Sequence, residues 1–450
     1  MIGLSTKVGS STKAGSWAEG LTPMHWRVLS SSFLGWVFDG FEALALVVVL
    51  FPMLHSVLTP DQMTSPTIYA GITIGITLLG WGIGGIVGGV LADYIGRKQM
   101  MLWSVFFYAL FSGFTAFSST ITQLCFLRFL TGLAMGSEWS TGISLLAETW
   151  PEKARAKGAG FLQSGFGWGT LLAAATWYFF SSWNPLGSET WRLMFVVGAL
   201  PALFILYIRR GIDESAKWKA AVHERRWSAV QADGSIDGSA KRPFTLKQVF
   251  GTPEARRITL IATLLSIVTT TGWWAISSWL PSYTVAIAKA QGLTNAVEWG
   301  GRITMYYTVG AIFAYMIAGF LIDWIGRRWY LFLTYAGAIV VTYITYAMIS
   351  TVDSMVLIAP INGFFTLGCA YAWLAIYPAE MFTSTVRSTA ISFIFNAARL
   401  IAWVFPIIAG NLIKSFGGIS NAALVLGSVY ILGLILPWFL PETKGKGMPD

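Results

Sequence analysis

The chain has 450 residues, of which 55% are hydrophobic and only 11% charged, against about 25% charged in a soluble domain. That composition excludes a soluble globular fold and predicts a polytopic membrane protein. The net charge of +9 collects on the segments of one membrane side, so it reports topology rather than a nucleic-acid surface.

Hydrophobic runs predict an all-α protein of twelve transmembrane helices, at 27–58, 67–92, 99–119, 121–147, 156–181, 190–209, 257–287, 301–324, 329–350, 354–378, 387–413 and 421–440. Lys and Arg bias places both termini and the central loop in the cytoplasm. The domains expected are an amino-terminal tail (1–26), a six-helix half (27–209), a cytoplasmic linker (210–256), a second six-helix half (257–440) and a tail (441–450). Residues 1–24 carry no signal-peptide pattern, so the first span is expected to direct its own insertion. In the linker, Trp218 and Trp227 suggest short surface helices, and 232–242 reads as a flexible connection. Spans 2 and 5 are notched with glycines (71, 75, 80, 84, 85, 88, 89 and 158, 160, 165, 167, 169), a pattern for close helix approach. Cys125 and Cys369 lie in apolar runs and read as packing residues.

An ionisable residue inside hydrocarbon costs at least ~2.5–3.5 kcal/mol on the gentlest scale, so each is a functional hypothesis. Five qualify: Asp39, Glu42, Arg128, Glu138 and Arg399. Asp39 and Glu42 share one face of span 1, with Asp39 ~20 Å from the helix start. Two carboxylates so close cannot both ionise cheaply, so one is expected to hold a proton, as a proton carrier must; a static ion pair is the alternative. Glu138 lies ten residues beyond Arg128 and reads as a second protonatable or substrate-contact group, or a structural partner of an arginine. Arg399 is ~18 Å deep in span 11, and no acid of spans 7–12 lies at that depth, so a substrate carboxylate is its expected partner. Pairing with Glu138 or Glu42 is the alternative. Gln163, Tyr307, Tyr371 and Asn396 are further candidates for the substrate site.

Two motifs repeat at one spacing. Gly85-Ile-Val-Gly-Gly-Val-Leu-Ala-Asp93-Tyr-Ile-Gly-Arg97-Lys98 returns as Gly319-Phe-Leu-Ile-Asp323-Trp-Ile-Gly-Arg327-Arg328, and Ala147-Glu148-x6-Arg155 returns as Ala379-Glu380-x6-Arg387. The offsets are 230 and 232 residues, which marks a duplicated half. The histidines His25, His55 and His223 have no metal-ligand spacing, and no nucleotide-binding fingerprint occurs. Neither an enzyme nor an ATP-driven pump is expected.

These motifs resemble those of major facilitator superfamily transporters over essentially the whole chain. Arg128-Phe-Leu-Thr-Gly132 resembles the superfamily's R-x3-G, and Pro441-Glu442-Thr-Lys-Gly445 is similar to the sugar-porter ending. Asp213-Glu-Ser-Ala-Lys-Trp218 looks like a degraded form of the sugar-porter segment after span 6. Tyr94 and Trp324 stand where that superfamily usually has a cation. Asp39-Gly-Phe-Glu42, Gly136-Ser-Glu138-Trp and Ala147-Glu-Thr-Trp-Pro-Glu152 are closer to the proton-coupled organic-acid symporters (sialate, aromatic acid and related metabolites), with Ser137 and Glu42 as departures. The resemblance implies two pseudo-symmetric halves around a midplane cavity, with Asp39 carrying the proton and Arg128 as its counter-charge. It implies that Asp93, Arg97, Glu148, Arg155, Asp323, Arg327, Glu380, Arg387 and Glu442 form a cytoplasmic gate that does not touch substrate.

The expected function is proton-coupled symport of a small organic carboxylate by alternating access. A sugar or polyol symporter, an efflux antiporter and a transporter-like sensor are the alternatives. The proton gradient serves as driving force with no cofactor, and the expected partners are the organic anion, the proton and the lipid bilayer, not nucleic acid. A monomer in an inner (plasma) membrane is expected.

Overall fold

The computed structural model describes residues 16–201, 203, 211–224 and 243–449. Twelve helical segments follow one another, and no strand occurs among the described residues. Spans 1 to 6 are Pro23–Val48 with Leu50–Val57, Pro66–Ile95, Arg97–Thr115, Ile121–Met135 with Glu138–Thr149, Glu152–Trp183, and a sixth described over Arg192–Gly198. Spans 7 to 12 are Pro253–Ala290, Ala296–Ile325, Arg327–Met348, Val352–Met381, Arg387–Ala402 with Phe405–Ser415, and Ile419–Phe439. Short helices Ala216–His223 and Thr245–Val249 lie in the central loop. The rest of span 6, Trp227 and the connection at 232–242 lie outside the described residues.

Among the described residues, seven spans are helical stretches long and apolar enough to cross a bilayer, and the bent pair of span 11 makes an eighth. Span 4 falls short because Gly136-Ser137 divides it into pieces of 15 and 12 residues. Span 5 falls short because its interior carries Gln163, Ser164 and five glycines (158, 160, 165, 167, 169), which keep its hydropathy low even beyond the charged first turn.

Local sequence sets the boundaries. Pro23, Pro66 and Pro253 open helices at the first turn, where the missing N–H is not needed. The side chains of Thr120, Thr252 and Thr351 each accept a bond from the backbone N–H three residues on, capping spans 4, 7 and 10. Gly96 (φ 101°) and Gly326 (φ 89°) end spans 2 and 8 in a backbone region open chiefly to glycine. Span 10 passes through a π-helical stretch, Phe364–Cys369, after Pro360. Span 11 bends by 52° just before Pro406, whose nitrogen has no hydrogen to continue the ladder.

Glycines let the spans touch backbone to backbone. A Cβ at Gly84 would run into the Leu133 carbonyl, joining spans 2 and 4, and one at Gly169 into the Val37 carbonyl, joining spans 1 and 5. The second half repeats the first contact between spans 8 and 10, where Gly310 meets the Pro360 carbonyl and Gly363 the Tyr307 carbonyl. Between halves, Gly85 and Gly89 of span 2 receive Asn396 and Ser392 of span 11, and Gly319 of span 8 receives the Ala156 carbonyl of span 5. These are two six-helix halves joined by equivalent pairs of spans.

Gly84→Ala should therefore destabilise the purified protein by about 1–3 kcal/mol, the range for overpacking. Gly410→Ala, inside the helix Phe405–Ser415 with nothing within 4 Å of the added carbon, should leave the unfolding midpoint unchanged or raise it, by up to about 1 kcal/mol of helix propensity. Equal midpoints for both variants would contradict the close-approach account.

Candidate functional site

All five ionisable residues singled out inside the spans are buried, with Arg399 6% exposed and the other four fully enclosed. Only two of them pair. Arg128 Nη1 meets Glu42 Oε1 at 2.5 Å, and Ser112 Oγ donates at 2.9 Å toward the same carboxylate. Gly198 of span 6 leaves the space that the Glu42 carboxylate fills. Arg128 is thus the counter-charge of Glu42, not of Asp39 as expected. Glu42, three residues beyond Asp39, has the longer side chain and the serine that fixes it.

Asp39 keeps both oxygens without a hydrogen-bond partner, and so does Glu138. The Glu138 carboxylate lies where a side chain at Gly35 would project, one helical turn before Asp39 on span 1. The charges of Glu138, Glu42 and Arg399 all act on Asp39. Arg399 has no carboxylate within ion-pair distance among the described residues; its Nη1 donates to the Phe395 carbonyl at 2.9 Å and its Nε has no partner. Its guanidinium lies over the rings of Phe395 and Trp81 instead. Two unpaired acids of the first half thus stand near one unneutralised cation of the second. Tyr108 of span 3 joins them with a buried, unpartnered hydroxyl on which Asp39, Glu138 and Glu42 act.

The remaining substrate candidates divide. Tyr371 lies within electrostatic reach of Arg399. Gln163 accepts from Trp139 Nε1 at 2.6 Å through its side chain and from Trp36 Nε1 at 3.2 Å through its carbonyl, so it positions two indoles. The Tyr307 hydroxyl is 2.9 Å from Thr366 Oγ1 in the π-helical stretch of span 10. Asn396 packs on Gly85, and its Nδ2 donates to the Ser392 carbonyl of its own helix. It belongs to the contact between spans 2 and 11 more than to the acidic cluster.

At the end carrying the repeated motifs, the charges pair. Arg97 Nη2 reaches Asp93 at 3.0 Å and Glu148 at 2.9 Å. The same Glu148 oxygen takes Arg387 Nη1 of the other half at 3.1 Å. Asp93 also accepts from the backbone N–H of Thr389 at 2.9 Å, and Arg97 donates to the Ser384 carbonyl at 2.7 Å. In the second half Arg327 pairs with Glu380 at 2.6 Å and Asp323 at 3.2 Å. Asp323 crosses to Lys157 at 2.5 Å. Arg155 departs from the expected pattern: it donates to the Trp150 carbonyl at 3.3 Å, and Lys157, two residues on and on another face of the helix, makes the crossing instead.

Two glutamates repeat one function. Glu214 accepts from the N–H groups of Arg97 and Lys98, both at 3.0 Å, and Glu442 from those of Arg327 and Arg328, both at 3.1 Å. Each carboxylate caps the start of a span, where the helix dipole favours negative charge. Burial alone would push the Glu442 carboxyl up, but the N–H groups of Arg327, Arg328 and Lys444 outweigh it and hold it below the usual range. A depressed carboxyl stabilises the fold at neutral pH, a contribution lost as pH falls below about 4.3. Lys157, Glu214, Thr389 and Tyr108 were not singled out from the sequence. Glu214 and Lys157 lay in motif neighbourhoods that pointed to them, whereas Tyr108 and Thr389 gave no signal.

Removing the shared acid at Glu148 leaves buried Arg97 and Arg387 undercompensated, a loss of about 3–5 kcal/mol. With Cys125 and Cys369 replaced by alanine, Ser384→Cys should resist a water-soluble maleimide, and adding Glu148→Gln should make it reactive. Equal labelling in both backgrounds would contradict a gate at this end.

The sugar (and other) transporter family profile matches residues 28–449. The chain is 28% identical to a probable 4-methylmuconolactone transporter of Cupriavidus pinatubonensis, over 96% of this chain and 94% of that protein. It is 27% identical to a cis,cis-muconate transport protein of Acinetobacter baylyi, over 92% and 94%. Its fold matches the major facilitator superfamily proton:xylose symporter XylE of E. coli with a TM-score of 0.72 at 17% identity, over 94% and 98% of the two chains. The chain is an integral membrane transporter, not an enzyme, with the major facilitator fold, and it belongs to the sugar (and other) transporter family.

Proposed function

We propose that the protein is a proton-coupled symporter of a small organic carboxylate, with Arg399 as the anion's anchor and Asp39 and Glu138 as the protonatable groups. The observation that carries this reading is the unneutralised Arg399 near two buried carboxylates that lack any hydrogen-bond partner. An uncompensated charge in this setting costs several kcal/mol. Taking up a proton removes that cost at an acid, and binding a carboxylate removes it at the arginine. The two events make one another cheaper, which is the physical content of coupling.

The Glu42–Arg128–Ser112 group has its charges matched and acts as a fixed brace beside Asp39. The paired charges at the other end hold the two halves together there and must part for that side to open. With that end in the cytoplasm, as the cation bias predicts, release of proton and anion inward completes symport, driven by the proton gradient without a cofactor. The relatives named as carriers of muconate and a muconolactone support an organic acid. The XylE-like fold and the Pro441–Gly445 ending leave a sugar as the competing reading, in which Arg399 has no ligand to meet.

Asp39→Asn in proteoliposomes should abolish uphill, proton-driven uptake while retaining exchange of substrate across the membrane; undiminished accumulation would remove Asp39 from the coupling. Arg399→Gln should cut carboxylate affinity by about 10–100-fold, the worth of a charge-assisted bond of 1.5–3 kcal/mol. A near-silent Arg399→Gln combined with sugar uptake would establish the competing reading.

A further inference from the structure

We infer that Asp39 and Glu138 share one proton through the hydroxyl of Tyr108, which makes Tyr108 a positioning residue for the coupling step. This rests on the two acids being the protonatable pair of a proton-coupled symporter. Ser104, Tyr108 and Ser112 follow one another at four-residue steps, on one face of span 3. Ser104 Oγ donates to the Ala134 carbonyl of span 4 at 2.5 Å. Ser112 Oγ donates to the Glu42 carboxylate of span 1 at 2.9 Å. Tyr108 sits between these two contacts, so it projects into the angle between spans 1 and 4, where both acids are.

Depth agrees with direction. Spans 1 and 3 run the same way from the end carrying the repeated motifs: Arg97 opens span 3 there, and His25 Nε2, in the first turn of span 1, lies 3.0 Å from the Thr149 carbonyl beside Glu148. Asp39 stands three residues before Glu42 and Tyr108 four before Ser112, each ~5–6 Å nearer that end. The two therefore share a level. A helical side chain leans back over the turn before it, which carries the Tyr108 ring from that level toward Glu138, whose carboxylate lies against Gly35. Asp39, Glu138 and Glu42 all act on the Tyr108 hydroxyl.

That hydroxyl is enclosed and without a partner, as are all four carboxylate oxygens. Ionised carboxylates only accept hydrogen bonds, whereas a phenol both accepts and donates. With both acids ionised, like charges repel and nothing closes the cluster. Once one acid holds a proton, its O–H donates to the Tyr108 oxygen and the Tyr108 O–H donates to the other carboxylate. One proton then completes three groups. Transfer along this chain breaks the O–H bond of the first acid as the phenol oxygen takes that proton, and the phenol gives its own proton to the second carboxylate. The phenol ends neutral, and only the two acids have exchanged state. The other groups nearby are committed elsewhere. Arg128 holds Glu42 and lies over the Phe195 ring at 5.2 Å; Arg399 lies on Phe395; and Ser137 packs at Gly88 of span 2. Asp93 of span 2 pairs with Arg97, and Arg192 of span 6 with Glu189.

The test compares unmodified full-length protein with Tyr108→Phe in proteoliposomes, using labelled cis,cis-muconate, benzoate and nicotinate and a trapped pH-sensitive dye. Removing a hydroxyl that bonds to nothing should leave the unfolding midpoint in place; a lowered midpoint would show the hydroxyl to be bonded already and would overturn the inference. The ratio of proton-driven uptake to substrate exchange, in which the proton can stay on the carrier, should fall by about 100-fold, the low end for a positioned proton-transfer group. An unchanged ratio would mean that the acids pass the proton without Tyr108, overturning the inference and leaving symport intact. Uptake and exchange lost in equal measure would give Tyr108 a role in folding or substrate binding, which also overturns it. An unmodified protein that moves none of the acids together with protons would overturn the symport reading, and the inference with it.

Discussion

The cost of an uncompensated charge in a low-dielectric interior organises this molecule. At the end with the repeated loops most of the buried charge is satisfied: Glu148 serves Arg97 and Arg387 at once, and Asp93 takes Arg97 and Thr389 together. Near mid-depth the same rule is broken at Asp39, Glu138 and Arg399. Satisfied charges hold a structure still. Unsatisfied ones make it responsive to whatever can complete them, in the proposed function a proton and an anion. In the proposed function, the division of labour between gate and site is thus a division between paired and unpaired charge.

That division needs rigid halves that meet along narrow seams. Glycines supply them by removing every atom that would hold backbones apart, within halves at Gly84 and Gly310 and between halves at Gly85 and Gly319. Contacts between halves run along spans 2 and 11 and along spans 5 and 8. Each seam carries small residues and few crossing charges, so it can part without unravelling a core. The bend of span 11 before Pro406 and the π-helical stretch of span 10 are further departures from regular helix in the second half, a type of irregularity that recurs at functional sites.

Much of this was legible because charge in an apolar run is rare and duplicated motifs are specific. Burial of Asp39, Glu138 and Arg399 followed from span assignment alone, and the paired charges at the other end from two repeated patterns and the Pro441–Gly445 segment. What the sequence did not give was azimuth. Asp39 and Glu42 share a helix face, and the choice of partner for Arg128 was made by Ser112 and the space beside Gly198, which come from other helices. Asn396 has the depth of a site residue but faces Gly85. Arg155 matched its motif, while Lys157, two residues on, was the one aimed at Asp323. The division of span 4 at Gly136-Ser137 was hidden because a polar dipeptide in an apolar run reads as a packing notch as readily as a break.

The central claim is that proton and carboxylate are taken up together by one cluster. Its most direct test is calorimetry of the tightest-binding acid in buffers of different ionisation enthalpy, at a pH above that acid's own titration. The account predicts that the observed heat depends on the buffer in the sense of net proton uptake by the protein on binding, and that this dependence disappears in a variant carrying Asp39→Asn and Glu138→Gln. Binding with heat independent of the buffer in the unmodified protein would mean that the anion enters alone, and would contradict the coupling proposed for this site.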